Sequence, residues 1–192
     1  MTRKILFSGF FLAVTAVCFV SCNQQDASST SKSSAKEVFL SSDGSFTLDT
    51  LAKGLLLPFG MDWLPDGKMI FTERGRKDSA ISIMDSTGKI TRLCNVPVAD
   101  LQGQGGMLDV LVHPDYKNNG WVYFSYAHRK EDTLTTLIVE RAKIENNCLT
   151  SIQRIFEGFP YHNSNNHYGS RMLIKDSFLY LTMGERANAP DS

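Results

Sequence analysis

The sequence predicts an all-β chain built from the repeating blades of a β-propeller, and three observations carry that prediction. Short β-branched and aromatic runs alternate with Gly, Asn and Asp turns from residue 45 onward. No later stretch holds an apolar stripe at the 3.6-residue helical period. A strand, tight turn, strand layout recurs three times, its turn aspartates Asp66, Asp115 and Asp176 lying 49 and 61 residues apart. A four-stranded unit recurring at about 40–60 residues is the sequence signature of a propeller. A sandwich with hairpins of similar composition is the competing architecture.

The first element is an address. Arg3 and Lys4 precede an almost wholly apolar run from Ile5 to Val20, short for a membrane span and suited to a signal-peptide core. The run ends in Phe19-Val20-Ser21-Cys22, which resembles the lipobox of bacterial lipoproteins. That resemblance implies cleavage before Cys22, acylation of Cys22, and a lipid-anchored protein facing the periplasm or cell exterior. Several acyl chains make a stable anchor where one does not. Residues 22–37, dense in Ser and without large apolar side chains before the end, read as a flexible tether. The propeller domain is then expected over 38–192. With Cys18 in the leader and Cys22 lipidated, Cys94 and Cys148 remain, either paired or, more commonly, as two buried thiols.

Within the domain, strands are expected at Phe46–Leu51, Gly60–Leu64, Lys68–Glu73, Ala80–Asp85 and Lys89–Leu93. More follow at Met107–His113, Trp121–Ala127, Thr135–Ile144, Cys148–Ile155, Arg171–Ile174 and Phe178–Met183. The turns between them are chemically explicit: Pro65-Asp66-Gly67, Ser86-Thr87-Gly88, Lys117-Asn118-Asn119-Gly120, Asn146-Asn147 and Asp176-Ser177. Each supplies a residue that tolerates positive φ or makes a side-chain turn bond. Residues 59–93 make one blade, 107–155 a second, and 171–183 the first half of a third. A closed propeller needs at least four blades, so the chain is expected to be a C-terminally truncated piece, about two and a half blades long.

Chemistry is expected at the blade starts, which face the central channel. Gly103, Gly105 and Gly106 around Gln104 allow close approach of backbone to a ligand, at a spacing that is not the dinucleotide fingerprint. His167 sits in a polar loop just before an apolar strand, with Glu185 one hairpin later. Neutral imidazole takes a proton near pH 7, and a carboxylate can orient it. His113 reads as structural, His128 and His162 as solvated loop residues, and Trp63, Trp121 and Tyr180 as packing residues.

Three segments carry a family resemblance: Leu57–Arg74 (LPFGMDWLPDGKMIFTER), Gly103–Tyr126 (GQGGMLDVLVHPDYKNNGWVYFSY) and Asn166–Glu185 (NHYGSRMLIKDSFLYLTMGE). In order and register they resemble the soluble quinoprotein sugar dehydrogenases, the glucose/sorbosone and aldose dehydrogenases that use pyrroloquinoline quinone (PQQ). The resemblance implies a six-bladed propeller and oxidation of an aldose at C1 to the lactone, with PQQ as hydride acceptor and an external electron acceptor. It implies His167 as general base, assisted by Glu185, with Gln104, Asn166 and Arg171 in the substrate and cofactor pocket. Some members of the family carry Asp where Glu185 stands, and a second Gly is frequent where Ser170 stands. The resemblance also implies Ca²⁺, but in the family the calcium ligands and most of the cofactor's basic partners come from later blades. The metal ligands are therefore unassigned, and the piece alone is expected to be inactive.

Twenty basic against 20 acidic residues, with no Lys/Arg run longer than two, leave no electrostatic footprint for nucleic acid. Two other readings stand beside the dehydrogenase: a non-catalytic propeller that binds a partner at the cell surface, and a lactonase-type hydrolase. Retention of Gln104, His167 and Glu185 together favours the dehydrogenase, since a binding module has no need of all three.

Overall fold

The computed structural model describes residues 37–187, which fall into two units divided between Leu48 and Asp49. The signal segment, Cys22 and most of the tether lie outside the described residues. In the first unit, β1 (Val38–Ser41) and β2 (Gly44–Thr47) form an antiparallel hairpin, with Phe39 stacked on Phe46 at 5.4 Å. The strand expected over Phe46–Leu51 ends at Thr47, as Asp49 interrupts the run with a residue that sheets disfavour.

The second unit is three antiparallel sheets in chain order. Sheet I is β3 (Pro58–Trp63), β4 (Met69–Glu73), β5 (Ile81–Met84) and β6 (Ile90–Arg92). Sheet II is β7 (Met107–Val112), β8 (Val122–Arg129), β9 (Thr135–Glu145) and β10 (Cys148–Glu157). Sheet III is β11 (Gly169–Lys175) and β12 (Phe178–Met183). In each sheet every strand pairs with its neighbour in sequence, the meander of a propeller blade. The expected strands of this unit agree with the observed ones to within two residues at either end. One expected turn is instead a helical turn, α1 (Tyr116–Asn119), closed by Gly120 at φ +70°, whose N–H donates to the Tyr116 carbonyl.

The inner strands of sheet II are buried on both faces, which is why β8 and β9 read as near-continuous apolar runs. Val122, Phe124 and Ile138 point into a core shared with Ile70, Ile81 and Leu93 of sheet I. Tyr123 and Val139 point the other way, onto Met172, Leu179 and Leu181 of sheet III. Period-two alternation thus divides one sheet between two cores. Trp63 and Tyr180, expected in packing, are instead more than half exposed, at 57% and 54%. Both stand on strand faces that no described element covers.

A recurring device links the sheets. Each first strand carries a bulge, between Pro58 and Met61, Met107 and Val110, and Gly169 and Met172. The bulge takes one backbone N–H out of the ladder, and a hydroxyl on the second strand accepts it. Thr72 accepts from Gly60 (2.9 Å), Ser125 from Asp109 (3.0 Å) and Thr182 from Arg171 (3.0 Å). The first two hydroxyls also donate onward to the next sheet, Thr72 to the Leu108 carbonyl and Ser125 to the Ser170 carbonyl.

Cys94 and Cys148 form a disulfide joining the chain after β6 to the start of β10, with Cα atoms 4.4 Å apart. The expectation of two buried thiols is therefore corrected. A short bridge, Cys94 N–H to Asn147 O and Leu149 N–H to Cys94 O, brings the two residues side by side.

Candidate active site

Two of the three blade-start loops converge. The segment after β6 runs through Gln102–Gly106 into β7, and residues 163–168 lead into β11. They are joined backbone to backbone by Gln104 N–H donating to Asn165 O at 2.8 Å. The Gln104 side chain then returns, its Oε1 accepting the His167 N–H at 2.9 Å. Arg129 completes the join, donating from Nη2 to Asp100 Oδ2 (2.7 Å) and Asn165 Oδ1 (2.9 Å). Asn166 lies exposed in the same loop and accepts through its carbonyl from Arg186 Nε at 2.9 Å.

His167 holds φ at +49°, a left-handed conformation unusual for a non-glycine residue. It points its Nδ1 at Glu185 Oε1, in the turn after β12, with which it is hydrogen bonded. The two side chains are about half exposed, 48% and 51%, so the pair faces open space. The bond to His167 holds the Glu185 carboxyl below its ordinary value of 4.5. An ionised carboxylate only accepts, so the Nδ1 carries the proton and Nε2 is left as the basic nitrogen. Gly184, one residue before Glu185, has no room for a side chain: a Cβ there would collide with the His167 carbonyl.

Arg171 is placed differently from Gln104 and Glu185. Its guanidinium donates to Asp109 Oδ1 (2.7 Å) and Phe59 O (3.0 Å) and lies 4.6 Å over the Phe59 ring. Asp109, buried on β7, also accepts the Met172 N–H at 2.9 Å. Arg171 thus ties the first strands of all three sheets together while its side chain stays 56% exposed.

His113 is structural as expected, its Nδ1 accepting the Asp115 N–H at 3.0 Å. The other two histidines are corrected from solvated loop positions. His128 lies half-buried within β8, and His162 forms a bridge pair with Thr135. Two residues with no role in the sequence reading prove central. Asp109 is one, and the other is Arg186, buried beneath the His167 loop. An apolar cleft of about 310 Å³ on sheet I, lined by Leu55, Phe59, Met61 and Phe71, does not include the histidine pair. Among the described residues no group of three or more His, Cys, Asp or Glu stands together to hold a metal ion.

Sequential antiparallel meanders packed through their first strands, with a His–Glu pair in the loops that enter and leave the third, define a propeller-type protein. The chain belongs to the glucose/sorbosone dehydrogenase family, whose sequence profile matches residues 55–192. It is 26% identical to aldose sugar dehydrogenase of Escherichia coli over 137 residues, covering 69% of this chain and 36% of that protein. It is also 26% identical to quinoprotein glucose dehydrogenase B of Acinetobacter calcoaceticus over 151 residues, covering 73% and 31%. Among solved structures, a glucose dehydrogenase superposes with a TM-score of 0.67 at 26% identity, over 72% of this chain and 41% of that one. The PQQ-bound aldose sugar dehydrogenase of Streptomyces coelicolor gives 0.61 at 28%, over 73% and 41%. The chain therefore spans about a third of the length of the curated relatives it matches.

Proposed function

We propose that this chain carries the base-bearing part of a PQQ-dependent dehydrogenase that oxidises an aldose at C1 to the lactone. The observation that carries the reading is the His167–Glu185 pair, with the His167 backbone held by Gln104. With Nδ1–H committed to Glu185, Nε2 takes the proton from the anomeric hydroxyl as the C1–H bond breaks. The imidazolium that results is stabilised by the carboxylate it already touches. Bound PQQ would supply the two-electron acceptor, itself reoxidised by an external electron acceptor.

The residues present fit part of what that group requires. It is a planar polyanion, and the half-exposed Arg171 guanidinium, held over the Phe59 ring, offers a cationic edge to one of its carboxylates or to the sugar. Asn166, exposed and next in sequence to His167, offers an amide beside the base. Ca²⁺, which the family resemblance implies, is not assigned to any residue here.

His167→Ala in the protein as its source cells make it tests the reading. Dye-linked sugar oxidation is expected to fall by about 10²–10⁴-fold, the range of a general base, with quinone absorbance of the bound cofactor retained. Wild-type turnover in that variant would overturn the base assignment.

For location, we propose a protein lipidated at Cys22 and anchored outside the inner membrane. The Cys94–Cys148 disulfide supports an oxidising compartment. Among the described residues no helix is long and apolar enough to cross a membrane. Cell fractionation checks the proposal: Cys22→Ala should move the protein from the membrane to the soluble fraction, and an unchanged distribution would exclude the anchor.

A further inference from the structure

Arg186 is buried to 3% exposure, yet its partners are carbonyl and hydroxyl oxygens and a ring rather than a carboxylate. Nε donates to Asn166 O at 2.9 Å, and Nη2 to Thr135 Oγ1 at 2.7 Å and to Ser164 O. The guanidinium carbon lies 3.7 Å over the Tyr168 ring. Asn166 and Tyr168 are the residues immediately before and after His167. One cation therefore grips the backbone on one side of the base and the side chain on the other. Arg186 also follows Glu185 directly, so the peptide that sends Glu185 outward to the imidazole sends Arg186 inward beneath it.

Burial of a cation is unfavourable unless donors are saturated and the charge is met. Burial also pushes the Arg186 pKa below the ordinary guanidinium value. A loop that needed only volume here would be filled by an apolar side chain. What an apolar residue cannot do is satisfy the Ser164 and Asn166 carbonyls, or hold His167 in a left-handed backbone conformation that its own Cβ disfavours.

We infer that Arg186 is a positioning residue, clamping the backbone around His167 so that the imidazole meets Glu185; this rests on the reading of His167 as the base. It contacts neither the imidazole nor the Glu185 carboxylate in any of these bonds and acts through the loop.

The test follows the Glu185 carboxyl titration by ¹³C-detected NMR on the full chain, in wild type, His167→Ala, Arg186→Met and Arg186→Lys. His167→Ala removes the partner outright and sets the released midpoint. Arg186→Met is expected to move Glu185 to that released midpoint with the amide spectrum of sheet I unchanged. Arg186→Lys, keeping the charge and the Tyr168 face but losing the fork, is expected between the two limits. An Arg186→Met protein that keeps its sheet I spectrum and titrates like wild type would overturn the inference. If the Met variant does not fold, Arg186→Lys decides: wild-type titration there overturns it, and an intermediate midpoint supports it. A Glu185 midpoint that does not respond to His167→Ala removes the base reading and the inference with it, whereas a response to His167→Ala alone removes only the inference.

Discussion

His167, Glu185 and Gln104 were legible as residue types in their motifs, because polar loops beside apolar strands stand out in sequence. Their contact was not legible, since 18 residues separate His167 from Glu185 and 63 separate it from Gln104. Arg186 was invisible for a different reason: an arginine in a turn reads as solvated, and only the folded loop shows it buried. The role of Glu185 can be separated from that of the base. Glu185→Gln keeps the size and an acceptor but loses the charge that stabilises the imidazolium. Loss of the charge-assisted partner should lower kcat for sugar oxidation about tenfold to a hundredfold with KM little changed. The pH sense follows from the direction of the carboxyl's shift. Its pKa is lowered on folding, so the pairing contributes above the ordinary carboxylate value and is lost as pH falls through the folded one. A loss of folding stability on acidification that is present in wild type and reduced in Glu185→Gln is the corresponding profile. Equal kcat in the two proteins would show that the carboxylate only fills space.

At the scale of the element, strand positions were legible and their irregularities were not. Alternation and turn residues locate β3 through β12, because burial of alternate faces and the chemistry of Asp, Asn and Gly are local. A bulge leaves no equally local trace. Its trace here is the hydroxyl opposite it, in Phe71-Thr72-Glu73, Phe124-Ser125-Tyr126 and Leu181-Thr182-Met183, one small polar residue inside each second strand. Thr72 is fully buried, accepts from Gly60 N–H and donates to the Leu108 carbonyl, so it serves both sheet I and sheet II. Thr72→Val keeps the shape and strands both partners. The expected loss is about 1–3 kcal/mol for each buried group left unpaired, read as a lower urea midpoint. Thr72→Ser should restore most of it. A Val variant as stable as wild type would mean that the bulged N–H finds another acceptor.

For the whole molecule, the order of blades was legible from the repeat, while the fastening between the blades was not. Sequence separation says nothing about whether two sulfurs can meet, and Cys94 and Cys148 are 54 residues apart. What brings them together is the edge of each blade. Cys94 follows the last strand of sheet I and Cys148 begins the last strand of sheet II, and the backbone bridge between them sets the approach. The bond closes a loop that contains all of β7, β8 and β9. Closing a loop of that length removes denatured-chain entropy worth about 4 kcal/mol. The bond joins sheets that already share a buried core, so its loss should lower stability without altering the fold. Reduction with dithiothreitol, or Cys94→Ser with Cys148→Ser, should lower the denaturation midpoint by the same amount, and the double variant should no longer respond to reductant. If reductant leaves the wild-type midpoint unchanged, the two blades are held by their apolar core and hydroxyl bridges alone.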